Sequence, residues 1–279
     1  MLENFHFYVV ATPIGNLEDI TFRAVRLLKD ADFIACEDTR MTKQLLQHYG
    51  ITHKSLLALH AHNEKTMTAT ILKRLQGGEK GILVCDAGTP GLSDPGAILL
   101  DTIHQSGGRV IPVPGPSAAM TALSAYPFSR FLFYGFLPSK RSDRLKALEK
   151  LKYFPYALVF YEAPHRIVDL FIDLIETFGA DTMAILAKEL TKVHETIVKN
   201  SLEKLLSWLQ ADDKHQKGEF VVIVEPVEQI LENRIGEEAL AMLMQHLPLK
   251  KAAAVAAALS GDSKNRLYQK ALQWQKSCE

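Results

Sequence analysis

The chain has 279 residues, of which 47% are hydrophobic and 23% charged, values that are ordinary for a globular protein. The 32 lysines and arginines balance the 32 aspartates and glutamates, so the formal net charge is zero. The protein therefore has no overall positive potential that would attract nucleic acid, and any site for a polyanion must be a local basic patch. The apolar runs are too short to span a membrane, and no basic segment precedes the first one, which argues against a signal peptide. Three cysteines without metal-ligand spacing (Cys36, Cys85 and Cys278) argue against disulfides and for a reducing, cytoplasmic compartment.

Apolar strand patterns alternate with helical periodicity over the first part of the chain. Strands are predicted at 7–11, 33–36, 55–58, 82–85 and 110–113. Helices are predicted from the N-cap Thr21 to Lys29, and at 42–48, 66–76 and 97–106. This alternation predicts a parallel sheet with helices on both faces.

The strand at 82–85 leads into a glycine-rich loop that extends to Gly96. Ligands of open α/β sheets bind at the carboxyl ends of strands, and glycine permits positive φ and close backbone approach. The loop has no Gly-Lys-Ser/Thr and no GxGxxG pattern, so a phosphate site is not favoured. A tight crossover without any ligand explains this loop composition equally well.

A second alternating unit begins at Ser117, the predicted cap of a helix over 118–125. Its strands are predicted at 131–136, 157–161, 183–188, 196–199 and 220–225, and its helices at 142–151, 167–178 and 201–209. Beyond Pro226, helices at 236–246, 249–259 and 264–275 have the outline of a helix-turn-helix unit. We therefore predict three domains, at 1–116, 117–228 and 229–279. The last of them is alternatively a helical appendage that only packs or dimerises.

Two segments concentrate positive charge. Residues 138–153 and 249–279 each hold six basic and two acidic side chains, a net charge of +4. Both are candidate surfaces for a polyanion. Solvated helix faces without a ligand are the alternative for each.

Eight motifs run in order along almost the whole chain. They are TPIGNL at 12–17, EDTR at 37–40, DAGTPGLSDPG at 86–96, PGPSA at 114–118, FLPSKRSDR at 136–144, YEAPHR at 161–166, KELTKVHE at 188–195 and GEFVVIVE at 218–225. Together they resemble the tetrapyrrole methylase superfamily, the class III methyltransferases that use S-adenosyl-L-methionine (SAM), in its ribosomal RNA branch. The resemblance implies two α/β domains with SAM in the cleft between them, a small C-terminal helical domain and a homodimer. It also implies methylation of the ribose 2′-hydroxyl of a cytidine in the decoding centre of 16S rRNA in the small ribosomal subunit.

The resemblance also implies the site residues. Those expected at the cofactor are Pro13, Asp86, Gly88, Thr89, Leu92, Ser93, Asp94, Ser117, Ala118, Tyr161, Glu162, Ala163, Leu190 and Gly218. Arginines that pair with phosphate bidentately, together with lysines, are expected at RNA: Arg40, Lys140, Arg141, Arg144, Arg166, Lys250, Lys251, Lys264 and Arg266. The catalytic candidates are Glu189, Asp38, Glu162 and Lys188, in that order, because a ribose hydroxyl is a poor nucleophile without a base or cation nearby.

Simpler roles remain open for several of these residues. Ser117 is alternatively a plain N-cap, Tyr161 a core residue, and each carboxylate a helix cap or structural ion pair. No metal is expected, since His60 and His62 have no further ligands at suitable spacing. Two rival functions also remain: methylation of a tetrapyrrole, and RNA binding without catalysis.

Overall fold

The computed structural model describes residues 5–60, 62–91, 94–226 and 228–277, without the side chains of 228–235 and 276–277. Two five-stranded sheets follow each other along the chain, and a bundle of three helices comes last. The predicted fold class is confirmed: two α/β units and a small C-terminal helical unit. No helix in the described ranges has both the length and the apolar character needed to cross a lipid bilayer.

The first sheet is entirely parallel, as the alternation of strands and helices predicts. Its strands lie in the order β3-β2-β4-β1-β5. The strands are β1 (His6–Val10), β2 (Phe33–Cys36), β3 (Ser55–Ala58), β4 (Gly81–Leu83) and β5 (Arg109–Val113). The helices are α1 (Phe22–Asp30), α2 (Thr39–His48), α3 (Glu64–Gln76) and α4 (Ala97–Gln105). They cover both faces, because a separate apolar cluster lies on each side of the sheet.

Side-chain caps fix where these helices begin. Thr21 accepts a hydrogen bond from the Ala24 N–H and caps α1, as predicted. Asp38 caps α2 in the same way, so that helix starts before the predicted position of 42. Helix α4 follows Gly96, which has no side chain, and the buried Glu64 carboxylate of α3 accepts the orphan N–H groups there. This contact ties the end of the glycine-rich loop to α3.

The second sheet has the order β6-β7-β10-β8-β9 and is mixed, which corrects the expectation of a parallel sheet. Only β6 and β7 are parallel, and the other neighbours are antiparallel. The chain passes from β8 to β9 through 189–195 without a helix, and so short a connection permits only an antiparallel pair. The strands are β6 (Phe131–Phe136), β7 (Ala157–Glu162), β8 (Met183–Lys188), β9 (Thr196–Ser201) and β10 (Phe220–Val224). The helices are α5 (Ala118–Ser124), α6 (Arg141–Leu151), α7 (Ile167–Phe178) and α8 (Leu202–Ala211).

Helix α5 follows Ser117 but packs on the second sheet, with Ala119 and Ala122 in the cluster that contains Val159 and Ile223. The Ser117 side chain makes no capping hydrogen bond, which corrects its predicted role as a cap. Its hydroxyl is therefore not used by the helix.

The C-terminal bundle has its own core. Helices α9 (Glu228–Met244), α10 (Leu249–Ser260) and α11 (Lys264–Ser277) bury small and leucine side chains against each other. Helix α9 starts before the predicted position of 236, and Gly236 lies inside it. A Cβ on Gly236 would lie 2.7 Å from Asp262 Oδ2, so glycine permits the close approach of α9 to the turn between α10 and α11. The domain limits at 116 and 228 stay a prediction.

Candidate active site in the cleft between the two sheets

A cleft of about 390 Å³ lies between the two α/β units. From the first unit come loops that follow the carboxyl ends of strands, where open α/β sheets bind ligands. The second unit contributes the ends of β6, β7 and β8 and the start of β10. The lining residues are Ile14, Glu37, Asp86, Ala87, Gly88, Thr89, Asp94, Ser117, Ala118, Phe136, Tyr161, Glu162, Ala163, Pro164, Ala187, Leu190, Glu219, Phe220 and Val221. The volume falls in the range of roughly 300–1,000 Å³ that is usual for small-molecule sites.

The glycine-rich loop is held by hydrogen bonds on the side of the first sheet. The backbone groups of Thr12 and Gly88 exchange two hydrogen bonds of 2.9 and 3.0 Å. Gly88 has φ +86, and a Cβ there would lie 3.5 Å from Ile14 Cγ2, on a side chain that itself lines the cleft. The Thr89 hydroxyl donates to Pro116 O at 3.0 Å. The loop is therefore anchored, and its backbone forms part of the wall.

Three carboxylates give the wall on the side of the first unit a negative character. Burial raises the pKa of Glu37, and the neighbouring carboxylates of Asp86, Asp94 and Asp38 raise it further. Burial also raises the pKa of Asp86 and of Asp94. Such a surface favours a cationic ligand near neutral pH.

Glu162 is the most buried acid of the cleft, at 2% exposure. Its Oε1 accepts a hydrogen bond of 2.8 Å from the Ala163 N–H. Its Oε2 lies 3.1 Å from Arg166 Nη2 and forms an ion pair with it, but receives no hydrogen bond from the described residues. Burial raises the pKa of Glu162, and the Ala163 N–H and Arg166 oppose that rise. The Glu162 side chain is 0% exposed, so its carboxylate lies beneath the surface of the cleft, paired with Arg166.

Glu189, the first of the catalytic candidates, has structural partners for its carboxylate. Burial favours a higher pKa for Glu189, but hydrogen bonds from Lys192 and the Glu219 N–H outweigh it and lower the pKa. The carboxylate is thus already occupied, and Glu189 does not line the cleft. Lys188, buried at the end of β8, is also outside the lining, although its neighbour Ala187 belongs to it.

Asp38 is a weak base for a different reason. Its carboxylate accepts hydrogen bonds from the side chain and the backbone of Arg40, which lower its pKa to about 2. Its own N–H donates to Asp86 Oδ1 at 3.0 Å. Asp38 therefore orients Asp86 and caps α2, and of the four candidates only Glu162 lines the cleft.

Most of the predicted cofactor residues come together at the cleft. Those that line it are Asp86, Gly88, Thr89, Asp94, Ser117, Ala118, Tyr161, Glu162, Ala163 and Leu190. Pro13 and Gly218 do not line it themselves but precede Ile14 and Glu219, which do. Leu92 and Ser93 lie outside the described residues.

Sequence reasoning missed the lining contributed by apolar residues at strand ends, namely Ala187, Phe220, Val221 and Phe136. An apolar residue near a strand end is typical of the core as well, so no pattern distinguishes these positions. Tyr161 has a position between the cleft and the core. It lines the cleft and packs in the core, where its hydroxyl accepts the Ala119 N–H at 3.1 Å.

Arg144 is wrongly predicted to contact RNA. It is 3% exposed, donates to Asp173 at 2.7 Å, and thereby joins α6 to α7. Arg141 donates to the other oxygen of Asp173 and to Glu176. Arg166 is largely buried and donates to the carbonyls of Leu137 and Pro138. The two arginines of the basic segment 138–153, and Arg166 beyond it, are therefore engaged in structural contacts.

Other predicted RNA contacts are on the surface. Lys140, Lys250, Lys251 and Lys264 are exposed. Arg40 is exposed as well, although it is paired with Asp38. Arg266 pairs with Asp262 and with Glu237 of α9, so its first role is to hold the bundle together.

The two units also touch through a pair of loops, which we call the loop clasp (residues 14–17 and 189–192). The Asn16 N–H donates to Thr191 Oγ1 at 3.0 Å. A Cβ on Gly15 would lie 2.5 Å from Lys192 Cγ. Glu189 and Thr191 adopt φ values of +52° and +65°, which are uncommon for residues with a side chain. Ile14 and Leu190, one from each loop of the clasp, also line the cleft, so the clasp borders the cleft wall.

Metal chemistry finds no support in the described ranges, which contain no group of three or more His, Cys, Asp or Glu suited to hold an ion. The two histidines discussed above are no exception, since their rings lie 6.1 Å apart and lack further ligands. The cleft is thus built from backbone, carboxylate and apolar groups.

Several solved structures that are named as methyltransferases share this fold. Uroporphyrin-III-C-methyltransferase from Thermus thermophilus matches with a TM-score of 0.58 at 18% identity, over 81% of this chain and 97% of that one. Cobalt precorrin-4 methyltransferase matches with a TM-score of 0.60 at 18% identity, over 79% and 94%. A Thermus thermophilus uroporphyrin-III methyltransferase in complex with S-adenyl homocysteine matches with a TM-score of 0.56 at 16% identity, over 81% and 99%. At these identities the likeness shows the fold alone.

Sequence comparison is more specific. The family model of the tetrapyrrole (corrin/porphyrin) methylases matches residues 6–206, and that of the RsmI C-terminal HTH domain matches 235–275. Ribosomal RNA small subunit methyltransferase I of Escherichia coli O157:H7 is 47% identical over 272 residues, 96% of this chain and 95% of that protein. The protein of the same name from Pseudomonas aeruginosa is 47% identical over 274 residues, 96% and 97% of the two chains. The chain therefore belongs to the tetrapyrrole methylase family and, within it, to the family of the ribosomal RNA small subunit methyltransferases I.

Proposed function

We propose that this protein transfers a methyl group from SAM to the ribose 2′-hydroxyl of a cytidine in the decoding centre of 16S rRNA. The observation that carries the proposal is the cleft, where an anchored glycine loop faces a buried carboxylate with one oxygen lacking a hydrogen bond. Family membership supports rRNA as the substrate, since relatives at 47% identity are named for small subunit rRNA methylation.

The residues of the cleft fit SAM. A cationic sulfonium and an ammonium suit a wall with Glu37, Asp86 and Asp94. The Gly88 backbone, without a Cβ, lets a ligand lie against it. Glu162 Oε2 needs a donor, which a ligand hydroxyl or amino group provides. These features support SAM as the cofactor, and ten of the proposed contacts line this one cleft.

When bound, SAM supplies an electrophilic methyl group on its sulfonium. The protein's own contribution is then alignment, because in-line displacement depends on the placement of both reactants. Glu162 is our proposed acceptor of the hydroxyl proton. It lines the cleft, its pKa is raised by burial, and its Oε2 makes no hydrogen bond within the protein. Arg166 stays beside it as the balancing cation.

Surface lysines are the proposed contacts to RNA. Lys140 lies between β6 and α6, and Lys250, Lys251 and Lys264 lie on the C-terminal bundle. Phosphate contacts position a nucleic acid without reading its sequence, so these residues are expected to hold the small subunit in register. Arg40 joins them if its pairing with Asp38 is exchanged for a phosphate.

We further propose that the protein works as a homodimer in the cytoplasm, with domain limits at 116 and 228. Light scattering on the purified protein tests the dimer directly. A monomer that methylates at full rate would refute it.

Small subunits isolated from cells that lack this methylation provide the decisive substrate. Wild-type protein and radiolabelled SAM should yield 2′-O-methylcytidine, identified by mass spectrometry of nucleosides from 16S rRNA. Uroporphyrinogen III serves in parallel, because the fold neighbours include enzymes named for that substrate. Methylation of the macrocycle and not of the subunit would replace our proposal with tetrapyrrole methylation. Failure to bind SAM in calorimetry would favour RNA binding without catalysis.

A further inference from the structure

One aromatic ring of the cleft wall is exposed to an unusual degree. Phe136, the last residue of β6, lines the cleft and is nevertheless 52% exposed. Tyr161, the other aromatic ring at this point of the wall, is part of the packed cluster beneath. A phenyl ring that is half exposed at the rim of a cleft is a surface on which a planar ligand can pack.

A β-bulge turns this ring into the cleft. The register between β6 and β7 shifts between Phe133 and Gly135, so Tyr134 has no partner and Phe136 lies opposite Tyr161. Side chains alternate between the two faces of a strand, and the extra residue places Phe136 on the same face as Phe133. Without the bulge, Phe136 would share a face with Tyr134, which packs near Phe160. Gly135 makes the bulge possible, because its φ is +77°.

Neighbouring aromatic side chains and backbone hydrogen bonds hold the Phe136 ring in place. Phe133 and Phe136 both contact the Tyr161 ring edge-on, with centroids 5.0 and 5.6 Å apart. Tyr161 is itself fixed by the Ala119 N–H. Behind Phe136, Arg166 Nη2 donates to Leu137 O at 2.9 Å and to Pro138 O at 3.2 Å, which holds the backbone that follows the ring. Phe136 is therefore a rigid, exposed aromatic surface at the rim of the cleft.

The surroundings indicate what this surface receives. Lys140 lies four residues further along the chain, just before α6, and is exposed to solvent. An aromatic ring beside a cation is the combination that proteins use for single-stranded nucleic acid, in which bases stack on rings and phosphates meet lysines. Most of the SAM contacts proposed above come from the glycine loop and its neighbour Ser117, although Tyr161, on which Phe136 packs, is also one of them.

We propose that Phe136 is the stacking surface for the base of the target nucleotide, which positions its ribose 2′-hydroxyl at the reaction centre. This inference rests on the proposed function and adds a positioning residue to it. Stacking accepts any planar base, so Phe136 sets the position of the nucleotide and not the choice of cytosine. A base reaches it only when out of the RNA stack, as enzymes that modify single nucleotides require.

Three variants test the proposal. Phe136→Leu removes the ring but keeps an apolar side chain, and Phe136→Tyr keeps a ring. Tyr134→Leu is the matched control, since it lies on the same strand, is 39% exposed and faces the other way. The measurements are kcat/KM for hypomethylated small subunits, the Kd for SAM by calorimetry and the melting temperature.

We expect Phe136→Leu to lower kcat/KM for the subunit on the order of 10- to 100-fold, the scale of one lost base–aromatic stack. Its Kd for SAM should equal that of the wild type, and Phe136→Tyr and Tyr134→Leu should retain activity. Unchanged kcat/KM in Phe136→Leu would overturn the inference. So would a parallel loss of SAM affinity, which would assign the ring to the adenine of the cofactor. An inactive wild type refutes the proposed function as well, whereas an active wild type with an unaffected Phe136→Leu refutes only the stacking role.

Discussion

Replacing Arg144 with methionine should destabilise the protein instead of weakening its contact with RNA. The Arg144 guanidinium is almost fully buried against Asp173, whose side chain is 0% exposed. Breaking such a pair by removing one partner costs about 3–5 kcal/mol, because a buried charge is left without compensation. Arg141 still donates to the other oxygen of Asp173 at 2.8 Å, so we expect the lower end, about 3 kcal/mol. At about 2–4 °C per kcal/mol for a chain of this size, the melting temperature should fall by about 6–12 °C.

Lys140→Met is the matched control, since Lys140 is exposed and lies next to the start of the same helix. A surface change of this kind alters stability by about 0.5 kcal/mol or less. If Lys140 contacts a phosphate, the slope of log K against log salt should become shallower by roughly 0.7–0.9. Circular dichroism melts and RNA titrations at several salt concentrations measure both quantities for each variant. An Arg144→Met protein that melts like the wild type and binds RNA with a shallower slope would refute the structural role of Arg144.

Three further changes test the cleft and the bundle. Gly88→Ala and its control Gly107→Ala both force an alanine into positive φ, at a cost in stability of about 1–3 kcal/mol each. Only Gly88 lines the cleft, so only the Gly88→Ala protein should lose affinity for SAM in calorimetry. Equal affinities in the two variants would remove the glycine loop from the cofactor site. Glu162→Gln should lower kcat by about 100-fold or more if Glu162 is the base, and wild-type kcat should rise with pH through the raised pKa of Glu162, since only the ionised form accepts a proton. A variant within about tenfold of the wild type, roughly 1.4 kcal/mol of barrier, would mean that alignment alone supports the reaction. A chain ending at Pro226 should still fold and bind SAM but lose methylation of the small subunit, and a truncated protein with full activity would show that the bundle does not bind RNA.

The sequence predicted the first sheet well because that unit obeys local rules. Each strand is an apolar run followed by a helix, and Thr21 caps α1 by hydrogen-bonding to a residue three positions on. The mixed second sheet follows instead from a missing helix between β8 and β9. A short connection of this kind is visible in the sequence, but its consequence for strand direction appears only when the pairing partners are known.

The candidate site was predictable where glycine and polar residues cluster at strand ends, and not where charges pair across the fold. Arg144 and Lys140 belong to one basic run, yet one is buried on Asp173, 29 residues away, and the other is exposed. Glu189 is likewise the first candidate base by sequence, although its carboxylate is bonded to Lys192 and to the Glu219 N–H. Partners 29 and 30 residues away, such as Asp173 for Arg144 and the Glu219 N–H for Glu189, leave no periodic signal in the sequence.

The loop clasp has a consequence for chimeric proteins. Its hydrogen bond from Asn16 to Thr191 joins residues 175 positions apart, and Gly15 leaves no room for a side chain against Lys192. An N-terminal unit transplanted from a relative must therefore bring a loop that matches the recipient's 189–192 segment. A mismatch would leave each half well folded while shifting Ile14 relative to Leu190, so the hybrid would be a stable protein with a misaligned cofactor site.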